Sequence, residues 1–165
     1  IIAGNETTRN SISGTIKLLT ENSDQKEKLI NNMELLPNMV NEAIRLISPV
    51  IYMRRTTTEE TQVGEQKIGP REKVVLYYGA ANRDPEVFIN PDKFDIERDN
   101  AKKHLAFGYG RHLCLGKHMA NMQLAEVYKQ ILERFPDMHQ SDEWKVVPNN
   151  STHSISEMPV AFKPE

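Results

Sequence analysis

The sequence predicts a mainly α-helical fold with a small β region. Three observations carry this reading. Apolar residues recur at helical spacing in four stretches, short β-branched and aromatic runs fall between the third and the fourth, and glycine and proline punctuate the rest.

Residues 1 to about 20 form the first stretch, with Ile2, Ile12, Ile16 and Leu19 sharing much of one face. Gly4 within it costs ~1 kcal/mol relative to alanine; close helix packing or simple tolerance is the ordinary reason. A short helix follows from Ser23, which is placed to cap it, with Asp24, Gln25 and Glu27 in the first turn and Leu29 and Ile30 facing inward. Pro37 suits the first turn of a third helix, which carries Met39, Val40, Ala43, Ile44 and Leu46. Glu42 and Arg45 are neighbours on that helix. As an exposed pair they would contribute only ~0.2–0.5 kcal/mol.

The chain then becomes extended through Ser48, Pro49, Val50, Ile51, Tyr52 and Met53. Arg54 and Arg55 follow, and adjacent strand residues point to opposite faces. Gly64-Glu65 reads as a hairpin turn between Thr61-Gln62-Val63 and Gln66-Lys67-Ile68, and after Gly69-Pro70 the run from Val74 to Tyr78 is a further strand. The expectation is one small sheet of three strands or more. Residues 80–104 read as mostly irregular, with Pro85 and Pro91 among Phe88 and Phe94, and so long an irregular segment usually has a functional reason. The last helical stretch begins after Gly116 with Met119, Met122, Val127, Ile131 and Phe135 as its core stripe, ending near Pro136. A β-hairpin built from Trp144 to Val147, residues 150–155 and Pro159 to Phe162 closes the chain, with His153 in a solvated loop.

Between the irregular segment and the last helix lies Phe107-Gly108-Tyr109-Gly110-Arg111-His112-Leu113-Cys114-Leu115-Gly116, which holds the only cysteine. A sulfur just before a helix start lies near unpaired N–H groups and the positive end of the dipole, a setting that suits a soft metal ligand. Gly110 and Gly116 let the backbone turn sharply and approach a flat ligand. Phe107 could shield the sulfur, and His112 could aim a donor at an anion.

Phe107, Gly110, Cys114 and Gly116, with His112 between, resemble the haem-ligand loop of the cytochrome P-450 family in its soluble bacterial form. Three further stretches resemble its signatures in the same order: Ala3-Gly4-Asn5-Glu6-Thr7-Thr8 in the distal helix, Glu42 to Arg45 before Ser48-Pro49, and the meander from Ala80 to Arg98. The resemblance implies the C-terminal part of the cytochrome P-450 fold, covering distal helix, Glu-x-x-Arg helix, meander, Cys loop, proximal helix and C-terminal β-hairpin. It implies a haem-thiolate monooxygenase carrying haem b (iron protoporphyrin IX). Cys114 would be the metal ligand; Phe107, Gly108, Gly110 and Gly116 would surround the haem; Arg55 and His112 would hold its propionates. Ala3 and Gly4 would leave room on the distal face. Glu6 and Thr7 would be catalytic, delivering protons, with Thr7 bonding back to a carbonyl one turn earlier. Glu42 and Arg45 would form a buried structural brace, completed by Arg98 or by Lys93. Val50, Ile51, Tyr52 and Ser154 are the residues it would bring to substrate, although the family often has glycine where Ser154 stands. A sterol side chain, branched lipid or terpenoid would be hydroxylated with O2, and electrons would come from a ferredoxin and its reductase or another flavoprotein.

Composition sets the outer limits. Lys and Arg total 21 against 23 Asp and Glu, a net charge of −2, which gives no electrostatic footprint for nucleic acid. No apolar run approaches the ~20 residues of a membrane span. One cysteine excludes an intramolecular disulfide and fits a reducing, cytoplasmic setting. The opening at Ile1, without Met or a helix cap, and a modest 38% of hydrophobic residues lead us to expect that residues 1–165 are the C-terminal haem-binding portion of one longer domain. A haem-binding but catalytically silent fragment is the alternative. A thiol enzyme using Cys114 and His112 is disfavoured: the pair is i, i+2 in a loop, no oxyanion donor is identifiable, and haem ligation explains the glycines better.

Overall fold

The computed structural model describes residues 2–163. Helix α1 (Ile2–Glu21) runs into α2 (Ser23–Asn31), and a single 3-10 turn at Met33–Leu35 leads to α3 (Leu36–Ile47). Strand β1 (Tyr52–Thr56), the hairpin β2 (Thr61–Val63) and β3 (Gln66–Ile68), and β4 (Lys73–Tyr77) follow, then the one-turn helix α4 (Tyr78–Ala81). After the irregular segment comes the long α5 (Lys117–Arg134), and the short strands β5 (His139–Gln140), β6 (Lys145–Val147), β7 (Ser154–Glu157) and β8 (Val160–Ala161) complete the chain. The architecture is the predicted one: mostly helical, with small antiparallel sheets.

Helix α3 is the centre of the core. Pro37 stands in its first turn, as expected, and Met39, Val40, Ala43, Ile44 and Leu46 are buried, joined by Leu19 of α1, Leu29 of α2, Phe94 and Ile96 of the meander, and Leu124, Tyr128 and Leu132 of α5. Gly14 sets the spacing of α1 on α3, since a Cβ there would lie 2.9 Å from the Ile47 side chain. Gly4, where close packing or simple tolerance was the ordinary expectation, has nothing within 4 Å of such a Cβ, which rules out the close packing.

Several sequence expectations are corrected. The N-cap of α2 is Asn22, whose amide donates to the Leu18 carbonyl at 2.8 Å; Ser23 is already helical because α1 and α2 share that junction. Leu29 is buried but Ile30 is exposed. In α5 the core stripe is Leu124, Tyr128 and Leu132, facing α1 and α3, whereas Met119 and Met122 are exposed. The extended run begins as a strand only at Tyr52, and Val50 makes an isolated bridge to Thr152. The expected single sheet is two separate pairs, β1 with β4 and β2 with β3. Thr57 explains the break: its hydroxyl donates to the Gly69 carbonyl at 2.7 Å and accepts the Glu72 N–H at 2.9 Å, which pinches off the hairpin beyond it. The pinched arm is almost wholly exposed and has no apolar face to pack on the other pair. The closing hairpin is β6 with β7, beside a second pair, β5 with β8.

Candidate functional site

A cavity of about 560 Å³ opens between α1, β1 and the cysteine loop. That volume lies in the ~300–1,000 Å³ range of small-molecule and cofactor sites. Ala3, Gly4, Thr7, Thr8 and Ser11 of α1 form one wall, and Phe107, Gly108, His112, Cys114 and Gly116 contribute to another.

Helix α1 carries a ladder of hydroxyls bonded back to carbonyls four residues earlier, beginning in the cavity wall at Thr7 and Ser11 and ending in the core at Thr15. Thr7 Oγ1 donates to Ala3 O at 2.9 Å, Ser11 Oγ to Thr7 O at 2.8 Å and Thr15 Oγ1 to Ser11 O at 2.7 Å. Such bonds satisfy hydroxyls on a helix face without apolar bulk and tend to bend the helix. Glu6 does not line the cavity. Both its oxygens accept from Arg9 Nη2 at 2.8 Å and one accepts from Asn10 at 3.2 Å. Arg9, helped by Asn10, holds the Glu6 carboxyl below its usual range. Asn10 in turn accepts the Ile155 N–H at 3.0 Å, which ties this part of α1 to β7.

In the loop, the Cys114 N–H donates to the Phe107 carbonyl at 2.9 Å, and the Gly108 N–H to Leu105 O at 2.8 Å. Gly108 (φ +72°) and Gly110 (φ +68°) adopt the left-handed conformation. A Cβ on Gly108 would also lie 3.3 Å from the Tyr78 hydroxyl. Gly116 differs from the sequence expectation: its φ of −84° is open to any residue, and a Cβ there would meet Cys114 Sγ at an ordinary 3.9 Å. His112 ends a 3-10 turn, Gly110–His112, and is exposed along the cavity rim. The Phe107 ring lies 5.4 Å from that of His104 and has the Lys117 ammonium 5.8 Å from its centroid. Burial, with Lys117 and Arg45 nearby, pushes the His104 imidazole down to about 4.

Arg55 lines the cavity, while Arg54 opens on the other face of β1, in a shallow concavity with Tyr52, Val75, Tyr77 and Asn150. Tyr52 is therefore turned away from the cavity. Of the substrate-contact candidates only Val50 lines it. The Ile51 backbone is bonded to Ser151 and Tyr78, and Ser154 is buried, its hydroxyl held by Asn149 at 3.0 Å and Thr152 at 2.9 Å.

Glu42 and Arg45 are both fully buried. Arg45 holds the carboxylate in a fork, Nε to Oε2 at 2.7 Å and Nη2 to Oε1 at 2.8 Å, and Arg98 Nε adds a third bond to Oε1 at 3.0 Å. Lys93 takes part only through its carbonyl, which accepts from both arginines.

Tyr78, Met53, Met119 and Gln123 are among the cavity residues that the sequence reading did not assign to the site. Met119 had a signal, since it stands in the first turn of α5, where a side chain leans back over the loop before it.

Residues 16–164 match the family model "Cytochrome P450". The chain belongs to the cytochrome P450 family. It is 45% identical over 134 residues to linalool 8-monooxygenase of Pseudomonas putida, covering 81% of this chain and 33% of that one. It is 38% identical to steroid C26-monooxygenase of Mycolicibacterium smegmatis, covering 99% of this chain and 41% of the relative. Among solved structures, cytochrome P450-153 from Novosphingobium aromaticivorans superposes with a TM-score of 0.93 at 40% identity, over 99% of this chain and 41% of its own. The chain thus spans about two fifths or less of these relatives. The helical architecture with its small sheets is that of the cytochrome P450 fold over this segment, and the family implies a haem-thiolate cofactor.

The residues fit that group. One soft donor, Cys114, and two cationic or hydrogen-bonding side chains, Arg55 and His112, line a largely apolar cavity. Gly4 and Gly110 leave open space where a Cβ would stand. Among the described residues no helix is long and apolar enough to cross a membrane.

Proposed function

We propose that this chain is the C-terminal haem-binding portion, residues 1–165, of a single cytochrome P450 domain that inserts one oxygen atom of O2 into a C–H bond of a hydrophobic substrate. The observation that carries the reading is that Cys114 and Thr7, from segments more than a hundred residues apart, line one apolar cavity. When bound, haem b supplies the activation of dioxygen.

The chain's own residues bind, orient and move protons. Cys114 Sγ holds the metal, and Arg55 and His112 hold the propionates, arginine being suited to a carboxylate by its planar fork. Ala3 and Gly4 keep the distal wall low. The Thr7 hydroxyl, donating to Ala3 O, keeps an acceptor lone pair toward the cavity and can rotate to donate there instead. Glu6, its neighbour in sequence, takes up protons from solvent; released from Arg9, its carboxyl relays them inward, and the Thr7 oxygen accepts one as its own hydroxyl proton passes into the cavity. The Glu42–Arg45–Arg98 brace holds the loop side of the core and does no chemistry.

A sterol side chain, a branched lipid or a terpenoid is the proposed substrate class, supported by relatives named for action on linalool and at steroid C26. Electrons come from a ferredoxin and its reductase or another flavoprotein, in the cytoplasm, where a lone cysteine stays reduced.

The test is the spectrum of the reduced, carbon monoxide-bound full-length protein. The expected result is the long-wavelength Soret band of thiolate ligation, abolished by Cys114→Ala. A folded protein that binds no haem would refute the reading. Displacement spectra with sterols, fatty acids and terpenes then select the substrate.

A further inference from the structure

We infer that Asn82 is a positioning residue for the thiolate loop, linking it to the buried Glu42–Arg45–Arg98 brace. The inference rests on the haem-thiolate reading of that loop. Asn82 follows α4 and is fully buried, and each of its polar groups is used. Its backbone N–H donates to Tyr78 O at 2.8 Å and its carbonyl accepts from Arg45 Nη1 at 2.7 Å. Its side-chain Nδ2 donates to Ser48 Oγ at 2.8 Å, and its Oδ1 accepts the Leu105 N–H at 2.6 Å.

The orientation of this amide is dictated by its partners. A backbone N–H can only donate, so the oxygen faces Leu105. Ser48 Oγ already donates to Arg45 O at 2.9 Å, so it offers an acceptor to the NH2 group. An aspartate would fill the same space but would turn a carboxylate oxygen toward a hydroxyl whose hydrogen is already in use.

Leu105 is where the loop begins to turn. Its carbonyl accepts the Gly108 N–H, and the Phe107 carbonyl between them accepts the Cys114 N–H. Among the described residues, the bond from Leu105 to Asn82 is the only hydrogen bond joining residues 105–116 to anything outside residues 104–120. The loop's other bonds stay within itself, reach back to His104 or run to the start of α5. The Leu105–Asn82 bond is therefore the loop's direct polar tie to the brace, and at its far end it meets the arginine that clasps Glu42.

The test compares Asn82→Ala with Ser48→Ala in the haem-loaded full-length protein, reading the ratio of thiol-ligated to thiolate-ligated species in the reduced carbon monoxide spectrum alongside the melting temperature. Both substitutions break the Asn82–Ser48 bond, but only the first frees Leu105. Asn82→Ala is expected to raise the ratio about fivefold, the factor that one lost buried bond of ~1 kcal/mol carries. Ser48→Ala is expected to lower the melting temperature and leave the ratio at the wild-type value. Should Asn82→Ala not accumulate, Asn82→Ser takes its place, with the same rise expected. Equal ratios in wild type and both variants, or equal shifts in both variants, would overturn the inference. A wild-type protein without the thiolate band would overturn the functional reading as well, so the two failures are distinct.

Discussion

Arg98 donates its Nε–H to Glu42 Oε1 at 3.0 Å across 56 positions of sequence, onto a carboxylate that Arg45 already holds through both oxygens. Three charged side chains thus meet where water is excluded. Their value lies less in mutual attraction than in the penalty of breaking them, since a buried charge left without its partner is strongly destabilising.

Glu42→Gln is accordingly expected to cost ~3–5 kcal/mol of stability. Lys93→Ala, which leaves the backbone carbonyl in place, should stay within about 0.5 kcal/mol. Urea unfolding of the full-length protein separates the two, and a large effect at Lys93 would contradict the geometry.

The loop glycines differ in what they tolerate. Gly108→Ala forces a Cβ into the left-handed region and to within 3.3 Å of the Tyr78 hydroxyl, at ~1–2 kcal/mol for the conformation alone. Gly116→Ala meets neither obstacle and should be close to neutral. The measurement is haem retention during gel filtration, with loss expected for the first and not for the second.

His104 gives the protein a pH dependence of known sign. Its imidazole titrates near 6.5 when unfolded and about 4 when folded. Between those values the unfolded chain binds the extra proton, so stability is complete above pH 6.5 and falls by ~3 kcal/mol as the pH drops toward 4. His104→Asn offers an acceptor for the Ala106 N–H without titrating. Denaturation at pH 7 and pH 5 should show a smaller loss in the variant than in the wild type.

Thr7→Val keeps the side-chain volume and removes the hydroxyl that donates to Ala3 O. Electron consumption is expected to continue while product falls and hydrogen peroxide rises. Product and peroxide per electron, measured with a reconstituted redox partner, check it; unchanged coupling would remove Thr7 from the proton path.

Sequence patterns predicted the helices well where one apolar face meets the core, as in α3, where Met39, Val40, Ala43 and Ile44 are all buried. They predicted α5 less well because two stripes share that helix: Leu124, Tyr128 and Leu132 pack inward, while Met119 faces the cavity. The β region was legible as strands but not as sheets, since pairing depended on a single threonine, Thr57, that no periodicity marks. The cavity residues Cys114, Thr7 and Gly4 could be singled out from local motifs. Asn82 could not be read in the same way, because its role comes from four partners spread from Arg45 to Leu105.

The seat of Gly14 against Ile47 has a mechanical consequence. That contact is a fulcrum for helix α1, and the cavity wall lies on the turns N-terminal to it. Gly4 lies ten residues from that fulcrum, or ~15 Å along the axis, so a tilt of only about 4° there would move the wall by ~1 Å. A single added methyl at position 14 could thus alter the headroom above a bound molecule without touching it, and the dimensions of the cavity are calibrated from deep in the core.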